Sequence, residues 1–199
     1  RVFVGSMMDI FEKPKEMINH RKVKQLEGED EFWNTGQLRD KFFNEVVPNC
    51  PNLMFLLLTK RPSNINKYIP ETWKTNPPSN VMFGTSVVNQ KTANDLIPQL
   101  FKVNGHRFLS IEPQLDEIDL TVKMKGSDLR LIDSVDWIIN GGESGHHRRP
   151  FNTDWGRILR DQCKENRVPF NFKQVDKKIS IPDDLMVREY PAYHTRGDI

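Results

Sequence analysis

The amino-acid sequence predicts an α/β fold, a partial (β/α) barrel that is TIM-barrel-like, with mainly parallel strands. Short apolar runs recur six times along the 199 residues, helix-like stretches lie between several of them, and polar or charged residues follow each run. Runs that are apolar on both faces are typical of strands covered on both sides, as in a parallel sheet or barrel. Alternation of such strands with helices predicts parallel pairing through right-handed crossovers.

The predicted elements follow one another in a regular order, beginning with a strand that opens the chain. Each apolar run is short enough to be a buried strand, and apolar residues recur at helical spacing in the stretches between. Thr153 is expected to cap the last helix. The predicted strands are residues 2–4, 54–58, 81–83, 107–111, 137–139 and 170–172, and the predicted helices are residues 36–47, 63–68, 90–100 and 153–166.

The predicted barrel domain covers residues 1–176, and residues 177–199 are expected to form a C-terminal extension. A polar excursion near residues 12–35 interrupts the alternation, because it is rich in charge and poor in aliphatic side chains. The chain opens on a predicted strand and lacks an initiator Met. We therefore expect it to be a piece of a longer protein.

Composition narrows the classes of function. The net charge of +2 gives no strong electrostatic bias toward nucleic acid or membranes, although it does not exclude local basic patches. Cys50 and Cys163 stand far apart without ligand spacing, so we expect no disulfide scaffold and no metal site within these residues. The sequence shows no apolar run of membrane-spanning length and no signal peptide, which favours a cytoplasmic protein. The oligomeric state is not predicted.

A glycine-rich turn follows the fifth predicted strand. Residues 140–145 read Asn-Gly-Gly-Glu-Ser-Gly, and a basic cluster, His-His-Arg-Arg, occupies residues 146–149. Glycines let a backbone turn sharply and approach a ligand closely. Such a loop can gather amide groups, a carboxylate and guanidinium groups around one point, as phosphate and cofactor sites do. A ligand site is favoured here, and a plain tight turn is the alternative.

Polar groups at the ends of all six predicted strands indicate one pocket, because ligands bind beyond the carboxyl ends of parallel strands. Glu112 follows a buried strand and precedes Pro113, so its carboxylate would be partly desolvated and would need a partner such as Lys60, Arg61 or Lys173. The sequence leaves two alternative roles for Glu112, as a member of a structural ion pair or as a catalytic acid or base. Helix capping, turn formation or solvation are the alternatives for the candidate residues Ser6, Asp9, Thr85, Ser86, Asn89, Lys60 and Arg61.

Seven motifs in order carry a resemblance to a known family. They are VFVGSMMDIF at 2–11, LTKRP at 58–62, GTSV at 84–87, FLSIEP at 108–113, GGESG at 141–145, RDQC at 160–163 and VPFNFKQ at 168–174. Over positions 1–174 the chain resembles a bacteriophage and prophage protein family of uncharacterised function. Its full-length members resemble radical S-adenosylmethionine proteins.

In that family a segment upstream of this region carries closely spaced cysteines, the expected ligands of a [4Fe–4S] cluster. The resemblance therefore implies S-adenosylmethionine and a [4Fe–4S] cluster as cofactors of the full-length protein, whereas the cysteines of this chain support neither. It also implies a radical S-adenosylmethionine-like enzyme acting on an unidentified substrate, a nucleotide or nucleic acid among the options. The alternatives are a non-redox phosphate- or nucleotide-binding module and a cluster-less interaction protein.

The enzyme hypothesis assigns three roles to residues at the strand ends. Glu112, Lys173 and Lys60 are the candidate catalytic residues. The candidate cofactor-binding residues are Ser6, Asp9, Thr59, Thr85, Ser86, Gly141, Gly142, Glu143 and Ser144. The candidate substrate-binding residues are Arg61, Asn89, Arg148, Arg149 and Gln174.

Overall fold

The computed structural model of the protein describes residues 1–4, 8–16 and 34–192. Strands and helices alternate along most of it. The strands are β1 (Val2–Val4), β2 (Phe55–Thr59), β3 (Val81–Ser86), β4 (His106–Ile111), β5 (Trp137–Gly141) and β6 (Phe170–Gln174). The α-helices are α1 (Thr35–Lys41), α2 (Val47–Asn49), α3 (Ile65–Tyr68), α4 (Glu71–Thr75), α5 (Gln90–Phe101) and α6 (Thr153–Glu165), and a π-helical segment (Phe42–Val46) joins α1 to α2.

The six strands form one parallel sheet in the order β1-β2-β3-β4-β5-β6. Each strand pairs with the next one along the chain, and the sheet curls into a half-barrel. The predicted fold class is therefore confirmed. Because all strands run the same way, their carboxyl ends lie along a single rim, to which the polar residues that follow the strands are brought.

Both faces of the sheet are buried, which explains why the strands read as continuous apolar runs. Leu57, Phe83 and Leu109 point to the outer face and belong to the large core beneath the helices. The inner, concave face carries a smaller apolar cluster. This inner cluster consists of Leu56, Met82, Phe108, Trp137 and Ile139, with the partly buried Met54 and Leu58 packed against it.

Side-chain caps fix the starts of the longer helices. Asn89 begins α5 with a capping box. Its side chain accepts from the backbone N–H of Thr92, and the Thr92 hydroxyl accepts from the backbone N–H of Asn89. Asn152, rather than the predicted Thr153, caps α6 and accepts from the N–H of Asp154. The predicted helix over residues 63–68 is a 3₁₀ turn followed by the four-residue α3. None of the helices in the described ranges is long and apolar enough to cross a bilayer.

The polar excursion predicted near residues 12–35 falls mostly outside the described residues, which resume at Asn34. Its two ends lie together, because Glu16 and Asn34 form an antiparallel bridge and the N–H of Thr35 donates to the carbonyl of Lys15. Asn34 also caps α1 through a capping box with Gln37. The excursion thus leaves and rejoins the domain at one place.

The described part of the predicted C-terminal extension runs back along the outer edge of β6. The N–H of Phe172 donates to the carbonyl of Val187 at 3.1 Å, and the N–H of Glu189 donates to the carbonyl of Phe170 at 2.9 Å. The indole N–H of Trp137 donates to the carbonyl of Glu189 at 3.0 Å. This segment therefore satisfies the backbone groups of an edge strand that would otherwise be open. Its division from the barrel as a separate extension stays a prediction.

Candidate functional site

A cavity of about 610 Å³ opens on the concave face at the carboxyl ends of the strands. Alternation along each strand determines which side chains reach it. On β4 and just beyond it, Phe108, Ser110 and Glu112 point inward, while Leu109 and Ile111 point to the outer core. The lining residues are Phe3, Leu58, Ser86, Ser110, Glu112, Pro113, Gly142, Glu143, Ser144, Gly145, His147, Arg148, Lys173 and Gln174.

Glu112 and Lys173 form an ion pair inside this cavity. The ammonium Nζ of Lys173 lies 3.3 Å from both carboxylate oxygens of Glu112, and it donates a hydrogen bond to Oε2. The Glu112 side chain is only 13% exposed, whereas that of Lys173 is 56% exposed. Burial raises the pKa of Glu112, and the Lys173 charge, its hydrogen bond and the nearby Ser110 hydroxyl offset this only in part. Glu112 Oε1 is buried and accepts no hydrogen bond from the described part of the chain.

Two buried amides hold the segment that carries Glu112. The Asn140 side chain donates to Oε1 of Gln114 at 2.7 Å and to the carbonyl of Ile111 at 3.3 Å. The backbone N–H of Gln114 donates to the carbonyl of Gly141 at 3.0 Å. Both side chains are almost completely buried. These bonds tie the end of β4 to the end of β5, so they fix the position from which Glu112 enters the cavity.

Ion pairs also fix the loop after β5. The Glu143 carboxylate accepts from the backbone N–H of Arg149 at 2.7 Å and from its guanidinium group, which lowers the pKa of Glu143 to about 2. Arg148 donates to Asp176 at 2.6 Å, and this bond together with two backbone N–H donors lowers the pKa of Asp176 to about 2. The charges of the predicted glycine-rich loop therefore serve first to close the loop on itself and on the segment after β6.

The polar residues that follow β1 and β2 bond to one another. Asp9 accepts from the backbone N–H of Lys60 at 3.2 Å and from the guanidinium of Arg61 at 2.9 Å. The Thr85 hydroxyl donates to the carbonyl of Thr59 at 2.9 Å, and the Thr59 hydroxyl accepts from the N–H of Arg61 at 2.9 Å. This network joins the ends of β1, β2 and β3 at the rim, outside the residues that line the cavity.

The structure thus brings together about half of the residues assigned to the site from the sequence. Ser6 lies outside the described residues. Those that line the cavity are Ser86, Glu112, Gly142, Glu143, Ser144, Arg148, Lys173 and Gln174. Those placed elsewhere in the described ranges are Asp9, Thr59, Lys60, Arg61 and Thr85 in the rim network, Asn89 at the cap of α5, Gly141 within β5, and Arg149 in the loop. Their roles stay predictions.

Several lining residues were not predicted from the sequence. Phe3 and Leu58 lie within apolar strands, and Ser110 lies between the apolar Leu109 and Ile111 of β4, so none of them follows a strand as a polar residue. The signal that could have found them is the two-residue period of a strand. Counting back from Glu112 in steps of two gives Ser110 and Phe108 on the same face. Pro113, Gly145 and His147 complete the lining residues that were not assigned.

Neither cysteine reaches the cavity. Cys50 is half-buried, and Cys163 is buried in the outer core, where burial and, to a lesser degree, the charge of Glu189 raise the pKa of its thiol. Within the described ranges no three His, Cys, Asp or Glu side chains are grouped as metal ligands would be. The described residues therefore do not fit an iron–sulfur cluster.

These features define a (β/α) half-barrel protein with a polar pocket at the carboxyl ends of its strands. The chain belongs to the family described as "Protein of unknown function (DUF5131)", whose model matches residues 1–182. Neither a curated protein nor a solved structure matches it.

Proposed function

We propose that this half-barrel is the substrate-binding and acid–base part of a radical S-adenosylmethionine-like enzyme of phage or prophage origin, acting in the cytoplasm on a nucleotide or nucleic acid. The observation that carries the proposal is the Glu112–Lys173 pair, a largely buried carboxyl facing an ammonium group inside the cavity. Perturbed titratable groups in a pocket at the strand ends are typical of catalytic sites. The seven motifs quoted above support the radical S-adenosylmethionine-like class.

The pair is suited to proton transfer. Since burial raises the pKa of Glu112, its carboxyl group holds a proton more readily than an exposed glutamic acid and can exchange it with a substrate. Lys173 stabilises the ionised form at 3.3 Å. Lys60 lies in the rim network outside the cavity lining, so the proposal gives the acid–base role to Glu112 and Lys173.

The two implied cofactors fit the described residues differently. The cluster does not fit them, because neither Cys50 nor Cys163 lines the cavity, so its ligands would come from outside the described residues. S-adenosylmethionine does have polar positions available on the cavity wall, at the hydroxyl groups of Ser86 and Ser144 and the backbone of Gly142. When bound, the cofactor pair supplies radical chemistry, and the protein supplies orientation and a dry, charged pocket.

A non-redox phosphate- or nucleotide-binding module is the second candidate. The ammonium of Lys173 in the cavity favours it, since this side chain is 56% exposed and could hold an anion without redox chemistry. The enzyme would cleave S-adenosylmethionine, whereas the binding module would leave it intact.

The test uses the longest reading frame that contains this chain, purified without oxygen and reconstituted with iron and sulfide. The enzyme hypothesis predicts bound iron and release of 5′-deoxyadenosine from S-adenosylmethionine after reduction. Cys50→Ser is the matched control, and it should leave the iron content unchanged because Cys50 lies outside the cavity lining. Iron-free protein that leaves the cofactor intact would refute the enzyme hypothesis and leave the binding module.

A further inference from the structure

The geometry points to a nucleoside monophosphate as the substrate class of this pocket, with its base on Phe3 and Leu58, its ribose hydroxyls on Glu112 and its phosphate on Lys173. This assignment rests on the proposed function, because it names the substrate for the same cavity. It follows from three walls of different chemistry that the half-barrel places in order along one sheet.

The first wall is apolar. Phe3 of β1 lines the cavity and remains 40% exposed, although it meets Phe108 edge to face at 6.0 Å. Leu58 of β2 lies beside it on the same concave face. An aromatic ring that lines a pocket with much of its surface open is suited to stack a planar, weakly polar group, and nucleobases bind proteins in this way.

The second wall is the Glu112 carboxyl. Its Oε1 is buried and accepts no hydrogen bond from the described residues, because the ammonium of Lys173, 3.3 Å from both oxygens, bonds to Oε2. A buried acceptor without a donor is costly, so a ligand that donates an O–H here would satisfy it. Vicinal ribose hydroxyls are such donors, and an acidic side chain binds ribose in this way in dinucleotide-binding folds.

The third wall is cationic, and Lys173 is its available member. Arg148 is bound by Asp176 at 2.6 Å, and the Arg149 guanidinium is bound by Glu143. The side chain of Lys173 is 56% exposed and has Glu112 as its single ionic partner among the described residues. Its ammonium can therefore turn to a phosphate oxygen while the pocket keeps its other ion pairs intact.

The order of the walls matches the order of groups in a nucleotide. The aromatic platform stands on β1 and β2, the carboxyl follows β4, and the cation stands on β6, across a sheet whose strands are arranged in chain order. Base, ribose and phosphate follow one another in the same sense. The cavity of about 610 Å³ also has the size of pockets that enclose small organic ligands.

Titration calorimetry of the purified chain with the four ribonucleoside 5′-monophosphates tests the assignment. At least one should bind, and its nucleoside and its 2′-deoxy form should each bind roughly tenfold or more weakly, as expected for loss of a hydrogen bond to a charged group. Lys173→Met should abolish the preference for nucleotide over nucleoside, and Glu112→Gln should abolish most of the preference for ribose. Lys91→Met, an exposed lysine on α5, should change neither.

The assignment is overturned if none of the four nucleotides binds the folded wild-type chain, or if Lys173→Met, folded by circular dichroism, keeps the full preference for nucleotide over nucleoside. Its failure is separable from that of the proposed function. Nucleotide binding without cleavage of S-adenosylmethionine by the reconstituted protein would remove only the radical chemistry. Cleavage without nucleotide binding would remove only the substrate class.

Discussion

Gly142 allows the loop that follows β5 to approach the segment after β6. A Cβ atom at Gly142 would lie 2.1 Å from the carbonyl oxygen of Val175 and 2.9 Å from the Phe151 side chain. The first of these neighbours is backbone, so no rotamer change can relieve the overlap. We predict that Gly142→Ala strongly destabilises the protein and perturbs the pocket wall.

The magnitude follows from the two contacts that must give way. The overlap with the Val175 carbonyl is about 1.3 Å relative to ordinary contact at 3.4 Å, which places the change in the overpacking class, at about 1–3 kcal/mol. Moving the loop away also lengthens two hydrogen bonds, from Gly142 N–H to the Gln174 carbonyl at 3.0 Å and from the Gln174 amide to the Gly142 carbonyl at 3.1 Å. Each contributes about 1 kcal/mol, so we expect a total loss of roughly 3–5 kcal/mol.

Urea denaturation monitored by tryptophan fluorescence measures this loss, and Gly145→Ala is the matched control in the same loop. A Cβ atom at Gly145 meets nothing within 4 Å, and its φ angle lies outside the left-handed region. Gly145→Ala should therefore change the free energy of unfolding by no more than about 1 kcal/mol, with the sign favouring stability. If the two variants differ by less than about 1 kcal/mol, the close approach at Gly142 is not a constraint and the reasoning fails.

Three further predictions concern the carboxyl in the cavity, the thiols and the core. Burial raises the pKa of Glu112 in the folded protein, so protonation of Glu112 stabilises the folded state. This stabilisation is fully present below the ordinary pKa of 4.5 and is lost as the pH rises through the pKa of Glu112 in the folded protein. Glu112→Gln should therefore be increasingly more stable than the wild type as pH rises toward neutrality, and equal urea midpoints at all pH values would contradict this. Since Cys163 is buried with a raised thiol pKa and Cys50 is half-buried, iodoacetamide should label Cys50 first in the native protein, as mass spectrometry of peptides can show. Leu57→Ala in the outer core should cost about 2–5 kcal/mol of unfolding free energy, whereas the exposed Leu38→Ala should cost under about 1 kcal/mol in the same urea assay.

The fold could be predicted because double-sided burial leaves a clear pattern in the sequence. The ends of the strands were harder to predict from the sequence where polar residues are themselves buried in a strand. The third strand was expected to end at Phe83, yet β3 continues to Ser86. The strand continues because these residues pair with β2 and β4. Gly84 leaves room for the ring of Phe108, and the Thr85 hydroxyl bonds to the Thr59 carbonyl. Neither partner is visible from local sequence.

The candidate site could be located but not resolved into its parts. Parallel strands place their ends on one rim, so the cavity was predictable, and Lys173 was among the cations expected beside Glu112. Which polar ends bond to one another could not be predicted, because this depends on side-chain distances across the rim. Asp9 accepts from Lys60 and Arg61 rather than facing the cavity. The five-residue α4 was missed because it is too short to show a helical period.

The distribution of charge around the cavity separates supporting groups from available ones. In the Glu143–Arg149 and Arg148–Asp176 pairs, both charged groups bond to each other and hold the loop. These pairs therefore leave little charge for a ligand. Glu112 differs, because it is a desolvated carboxyl with one oxygen lacking a donor from the described residues. Such a group costs stability at neutral pH, and buried amides of Asn140 and Gln114 nevertheless hold its segment in place. A protein that holds a destabilising group in place with buried hydrogen bonds is expected to use that group, so the gain in stability from Glu112→Gln should coincide with a loss of ligand binding.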